Sequence, residues 1–365
     1  MGHGNKGVRG FSLVELVAVI AVVASAGAVL GPSFGGIRNQ QQGLTSEGKL
    51  LAISQASAMY GMDSDDRIPS FTWRAGDTYV DLGTGNTRVL ASDTEGASRQ
   101  VQNILYRATG RLNGVGRILN PSSRLMYRKY SHLVLADYMG GNVSDPIWAD
   151  PADDLLLGWQ ENPFGYLDSE SDVPYGQGLP DEQGYDMSFS WLEPNILQLW
   201  AFSSSYQVVP HAWQNDFGSQ YIPISQTPHS FLYWSDFGSS IELGERRQNE
   251  VVFPSAKVYM YEEFDREFPS IDLYFGYDNA RCAKLMFDGS INTQPSKEAQ
   301  ISVSPAVYSH GPRTEWRQPY VPIDQFPIPW DGLGSDREVS QRFRWTIGGL
   351  TGVNYQRTIM PIGRR

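Results

Sequence analysis

Apolar residues run almost without a break from Phe11 to Leu30, FSLVELVAVIAVVASAGAVL, with Glu15 and a few serines the exceptions. A helix of about 20 residues rises about 30 Å, enough to cross the hydrocarbon core of a bilayer. The pattern therefore predicts a membrane-spanning helix over 11–34. Lys6 and Arg9 precede it. Basic flanks stay on the cytoplasmic side, so everything past residue 35 is expected across the membrane. Gly31-Pro32 and Gly35-Gly36 predict a weakened helix at the exit, with the kink at Pro32. From 35 to 62 the pattern turns amphipathic. Ile37, Leu44, Leu51 and Ala58 recur every seven residues, and Ile53, Ala56, Met59 and Tyr60 broaden the stripe. That period predicts a continuing helix packed on a globular head. Gly43 and Gly48 weaken it locally, and Asp63-Ser64-Asp65-Asp66 with Pro69 ends it.

From 63 to 365 the texture changes. Gly, Pro, Asp and Ser recur every few residues, and the apolar runs are short and aromatic. Phe231–Trp234, Lys257–Tyr261 and Ala283–Phe287 read as strands, and Leu133–Met139 fits helix or strand. The stretches 75–125 and 160–225 read as loop-rich insertions. One long helix beside many short strands predicts an α+β fold with a mainly antiparallel sheet in the head.

Composition narrows the function classes. Hydrophobic residues make up 41% of the 365 and charged residues 19%, which supports a core and excludes wholesale disorder. Lys plus Arg number 29 against 40 Asp plus Glu, a formal charge of -11. That balance argues against nucleic-acid binding, which needs a basic face. Cys282 is the single cysteine, so an intramolecular disulfide and multi-cysteine metal sites are excluded. Gly31-Pro32-Ser33-Phe34-Gly35 matches a hydrolase nucleophile elbow. The motif needs a strand before it and a helix after it, and here it follows a predicted membrane helix, so Ser33 is not expected to be catalytic.

Three readings of the apolar run compete. A plain anchor is the simplest. Ala24-Ser25-Ala26 has the small-x-small form of a secretory cleavage site. The third turns on Glu15, because a carboxylate in an apolar membrane helix costs about 2.5–3.5 kcal/mol at the centre, less near an end, and usually marks function. Gly10 followed by Phe11-Ser12-Leu13-Val14-Glu15 resembles the processing site of type IV prepilins and type II secretion pseudopilins. The resemblance implies a leader over 1–10, removed by a prepilin peptidase between Gly10 and Phe11, and methylation of Phe11. It implies that Glu15 pairs with the N-terminal amine of a neighbouring subunit during assembly, and that Pro32 is the helix-kinking proline. The fold it implies is pilin-like, with a long N-terminal helix whose first half spans the inner membrane and whose head faces the periplasm or the cell exterior. Implied partners are the peptidase, other pilin or pseudopilin subunits and the inner membrane, with no nucleic acid. The length suits a minor component of a type IV pilus or type II secretion-like filament.

Several head segments resemble a subgroup of large pilin-like proteins with a C-terminal His, nine residues, then Asp-Gly. These are Leu50–Pro69; Tyr138–Asp153, with Asp150 at the position of a Cys; Tyr185–Phe189; Phe253–Val258 with Glu262-Glu263; Leu285–Gly289; and Arg344–Leu350. The residue ten before Asp288 is Asp278, so the histidine of that motif is not kept.

Catalytic chemistry is not expected. His3, His132, His211, His229 and His310 show no ligand spacing, and Cys282 reads as a small buried residue. The acidic groups Asp63, Asp65 and Asp66; Asp150, Asp153 and Asp154; and Asp168, Glu170 and Asp172 read as solvated turns. Some pseudopilins hold calcium in a head loop, which leaves calcium as the one cofactor to consider; no metal ligand is assigned. Glu262, Glu263 and Asp265 could form a glycosidase acid pair only at a defined carboxylate separation. Trp148, Trp159, Trp191, Trp200 and Trp213 are mostly expected in the core. If they were exposed, the alternative would be a membrane-tethered module reading a glycan or a protein.

Overall fold

In a computed structural model of the chain the described residues are 41–113, 116–120, 130–168, 198–213, 216, 221–225, 233–234, 245–267, 273–300, 304–307, 311–312 and 342–355. Within them the protein is mixed helix and sheet, and all but one of the strand pairs are antiparallel. The expectation of an α+β fold therefore holds.

Residues 41–63 are helical (α1). Ser46, Leu50, Ile53, Ser57 and Tyr60 are buried, at spacings of four and three that put them on one face. That face lies on a four-stranded antiparallel sheet ordered β10-β9-β6-β3, made of β3 (Tyr206–Val208), β6 (Val258–Glu262), β9 (Lys284–Met286) and β10 (Ile291–Asn292). Ser57 Oγ donates to Tyr259 Oη at 3.2 Å. The phase of the helix differs from the one its heptad predicts. Leu44, Leu51 and Ala58 are exposed, and Met59 and Met62 with them. Ser46 and Ser57 share the buried face with Leu50, Ile53, Ala56 and Tyr60, so the heptad of Leu44, Leu51 and Ala58 marks the side turned away from the sheet, while Ile53, Ala56 and Tyr60 of the broader stripe face it.

β6, VYMYE, is buried at every position, which a strand covered on both faces requires. Tyr261 packs on Phe275 and Phe343 with ring centroids 4.9 and 5.1 Å away. Segment 342–355 closes over the start of β6, where Asn354 Oδ1 accepts from Val258 N at 2.9 Å. Asp288-Gly289 forms the β9–β10 hairpin turn. Gly289 has φ +83, and a Cβ there would stand 3.0 Å from Ser54 Oγ of α1. The turn needs glycine for its left-handed backbone and for the approach of the helix.

The remaining sheet elements are the hairpin β1 (Thr78–Val80) with β2 (Thr87–Val89), the pair β7 (Phe264–Asp265) with β8 (Leu273–Tyr274), and a second four-stranded sheet. That sheet runs β12-β11-β4-β5, from β4 (Tyr221–Ser225), β5 (Tyr233–Trp234), β11 (Ser304–Val307) and β12 (Gly311–Pro312), with β11 parallel to β4.

Two expectations about loop-rich stretches are corrected, and one open assignment, Leu133–Met139, is resolved. The 75–125 stretch is not mainly loop: it holds α2 (Asp93–Thr109), the helix of 17 residues. Ser92 caps it by accepting from Glu95 N at 3.1 Å, and Glu95 returns a bond from Ala91 N at 2.9 Å. Its core contacts come from Ala97, Val101, Leu105 and Tyr106, and the buried Ser98, Gln102 and Asn103 between them break up the apolar stripe. Leu133–Met139 is part of a 3-10 helix, Ser131–Met139, stopped by Gly140 at φ 84. In the 160–225 stretch, α3 (Asp154–Glu161) overlaps the start and α4 (Pro163–Asp168) follows.

Candidate functional site

Where α1 meets the end of β6, three carboxylates converge. Glu262 ends β6, and Tyr206 of β3 stands directly across from it. Ser46 Oγ of α1 donates to Glu262 Oε1 and lies 3.1 Å from Tyr206 Oη. Ala283 N donates to Glu262 Oε2 at 2.9 Å. Glu267 comes from the residues just beyond β7. Asp150 comes from the loop after a 3-10 turn, Pro146–Trp148.

That loop is fixed at several points. Asp145 caps the turn by accepting from Ile147 N at 2.9 Å. Lys49 of α1 donates to the carbonyls of Pro146 and Ala149 at 2.7 and 2.8 Å. Asp150 N donates to Ser205 Oγ at 3.0 Å, and Ser205 Oγ donates to Asp153 Oδ2 at 2.6 Å. Asp153 also pairs with Arg266 at 3.0 Å, both side chains buried, and caps α3 through Leu156 N at 3.0 Å. Ala152 N donates to Asp150 Oδ1 at 2.7 Å.

One oxygen from each of Asp150, Glu262 and Glu267 lies within 4.8 Å of the others, and all three residues are buried. None of the three forms a salt bridge among the described residues. Two carboxylates that close repel by about 3–4 kcal/mol at an effective dielectric of about 20. Burial, and then the charge of Asp150, pushes the Glu262 carboxyl well above its ordinary range. The same causes push Glu267 up to about 8. Such a cluster can hold protons on its carboxyls or a cation between them.

The other groups singled out in the sequence fall elsewhere. Gly10, Phe11, Glu15 and Pro32 lie outside the described residues, as do Glu170, Asp172, Trp191, the 185–189 segment and the side chain of Trp200. Asp150 and Asp153 are buried rather than solvated, which corrects the reading of that group, while Asp154 is exposed. Asp63 is the exposed last residue of α1 and Asp65 and Asp66 lie in the exposed turn after it, with Asp65 2.6 Å from Arg247. Asp168 makes a two-pronged pair with Arg111 at 2.5 and 2.9 Å.

Glu262, Glu263 and Asp265 do not share an open site. All three are buried; Glu263 Oε2 accepts from Gln207 Nε2 at 2.5 Å and Asp265 Oδ2 from Arg281 N at 2.7 Å. Trp148, Trp159 and Trp213 are core residues, so they offer no stacking platform. His132 sits against the Trp148 ring at 4.7 Å, and burial pushes its imidazole down to about 3. His211 is also buried, and no group of three potential metal ligands among the described residues includes a histidine. Cys282 is buried and its thiol pushed up by that burial.

A concavity of about 330 Å³ opens between α2 and the β1–β2 hairpin, with Arg88, Arg99 and Arg117 in its lining. Arg88 already faces Asp81 at 3.4 Å and Arg99 faces Glu95 at 3.7 Å. Most of its positive charge is therefore spent on its own chain.

Glu267 drew no notice in the sequence. The signals available were Asp150, in an acidic group, and Glu262, a carboxylate closing an apolar strand. Comparison of the chain with protein-family models, with curated proteins and with solved structures gives no match.

Proposed function

We propose that the chain is a pilin-like structural subunit, cut between Gly10 and Phe11, methylated on Phe11 and held in the inner membrane by its first helix. From there it joins a type IV pilus or type II secretion-like filament as a minor component. The observation that carries this reading is Gly10-Phe11-Ser12-Leu13-Val14-Glu15 at the head of a 20-residue apolar run. Two structural features are in keeping with it. The helix over 41–63 packs one face on an antiparallel sheet. Its other face exposes Leu44, Leu51, Met59 and Met62, an apolar strip suited to other subunits' helices. Removal of the leader takes Lys6 and Arg9 with it and makes the acidic chain two charges more negative. Such a head stays soluble and is repelled by anionic surfaces.

The mechanism is assembly. Glu15 pairs with the Phe11 amine of a neighbouring subunit, which offsets the cost of placing each charge in an apolar bundle. Glu15→Ala is the test. The variant is expected to be processed like the parent and to disappear from sheared filaments. Normal incorporation of Glu15→Ala would remove the role given to that carboxylate.

A further inference from the structure

We propose that Asp150, Glu262 and Glu267 bind one divalent cation of calcium's size, which locks the 145–153 loop to the end of β6 beneath α1. The inference does not depend on the prepilin reading.

Three observations carry it. First, the three residues reach one point from separate segments of the chain, with one oxygen of each within 4.8 Å of the others. Oxygens on opposite sides of a calcium ion, at 2.3–2.6 Å, stand about 5 Å apart. Second, Asp150 Oδ2 and Glu267 Oε1 are buried and accept no N–H or hydroxyl donor among the described residues; the Asp150 carboxyl faces that of Glu262. Asp150 is 1% exposed and Glu267 4%. Buried carboxylate oxygens are normally satisfied, and the neighbouring acids follow that rule. Glu263 takes Gln207, Asp265 takes Arg281 N, and Asp153 takes Ser205 and Arg266. Among the buried carboxylate oxygens of the described residues, the deficit falls only on two members of the converging trio. Third, hydroxyl oxygens stand beside the carboxylates, since Ser46 touches both Glu262 and Tyr206. An all-oxygen, protein-built site suits calcium. Magnesium dehydrates reluctantly and keeps several waters, which this buried position does not favour.

The cation would convert the mutual repulsion of the three carboxylates into attraction to a common centre. Because ligands from both the loop and the sheet are engaged, occupancy stabilises the folded head by mass action.

The test uses the full chain in detergent, stripped with a chelator and titrated with calcium alone, with magnesium as a parallel arm. Calorimetry is expected to show one calcium per chain, and Tm is expected to rise with calcium concentration. Glu267→Gln and Asp150→Asn put an amide of the same shape in place of a carboxyl and add no like charge to the cluster, so both are expected to fold. Each should weaken calcium binding by about tenfold or more, the least that even an outer-sphere change tends to cost. If an isostere fails to fold, Glu267→Asp keeps the charge, shortens the reach and should show the same loss. No calcium binding by the parent chain overturns the proposal. So does binding that all three variants retain, which would place the ion elsewhere. Magnesium binding as tightly as calcium would overturn the assignment to a calcium-sized ion.

Discussion

Leu50→Asp is expected to abolish native folding of the head, and Leu51→Asp, one residue on, to leave it intact. The two leucines are neighbours in sequence and opposites in environment. Leu50 is 0% exposed and Leu51 45%. Leu50 belongs to the row Ser46, Leu50, Ile53, Ser57 that lies on the sheet. An aspartate there would lose the apolar contact and bury a charge without a partner, in a region that already holds Glu262 and Asp150. Burying an unpaired charge costs several kcal/mol, comparable with the whole stability of an ordinary domain, about 5–15 kcal/mol. At Leu51 the same carboxylate meets water, and surface changes stay within about 0.5 kcal/mol. Circular dichroism and urea unfolding of the two purified variants check this. Equal stability of the two would mean that the helix is rotated from the phase described.

Trp148→Ala is expected to cost about 3–5 kcal/mol, the range for emptying a buried aromatic site. The indole is fully buried against His132. The Trp148 carbonyl accepts from Ser204 Oγ at 2.8 Å and from Ser205 N at 3.0 Å, so the residue anchors the loop that delivers Asp150. Its removal leaves a cavity in the core and loosens that loop. The loss should appear as a lower urea midpoint in unfolding followed by fluorescence and circular dichroism. A change under about 1 kcal/mol would mean that the site collapses around the missing ring or that the core does not depend on it.

These two residues also show what the chain's pattern could and could not reveal. The end of α1 was legible, because Asp63 to Asp66 and Pro69 stop a helix by chemistry that acts locally. So were β6 and β9, whose aromatic and aliphatic runs are buried throughout, and the Asp288-Gly289 hairpin turn. The phase of α1 was legible only in part: Ile53, Ala56 and Tyr60 of the expected stripe are buried, whereas Leu44, Leu51, Ala58 and Met59 are exposed. The heptad of Leu44, Leu51 and Ala58 is real, but the sheet-facing side carries Ser46 and Ser57, which meet Tyr206, Glu262 and Tyr259. A hydrophobicity rule cannot see a helix that docks partly by hydrogen bonds. α2 was missed for a related reason. Its apolar face is thin, and the usable signal was the Ser92 and Glu95 capping pair.

The carboxylate cluster was least accessible. Asp150 stood out as an acid at a cysteine position, and Glu262 as a member of an acidic pair. Their meeting with Glu267 depends on how β6, β7 and the 145–153 loop pack, which no local spacing encodes. Sequence reasoning therefore treated Asp150 and Asp153 as solvated, whereas the fold buries both.

The prepilin reading turns on the Gly10–Phe11 junction. Intact mass and N-terminal sequencing of the chain isolated from its native membrane test it most directly. The expected chain begins at Phe11 and carries one added methyl group on its amine. A chain beginning at Gly27, cut after Ala24-Ser25-Ala26, or one still beginning at Met1, would contradict it.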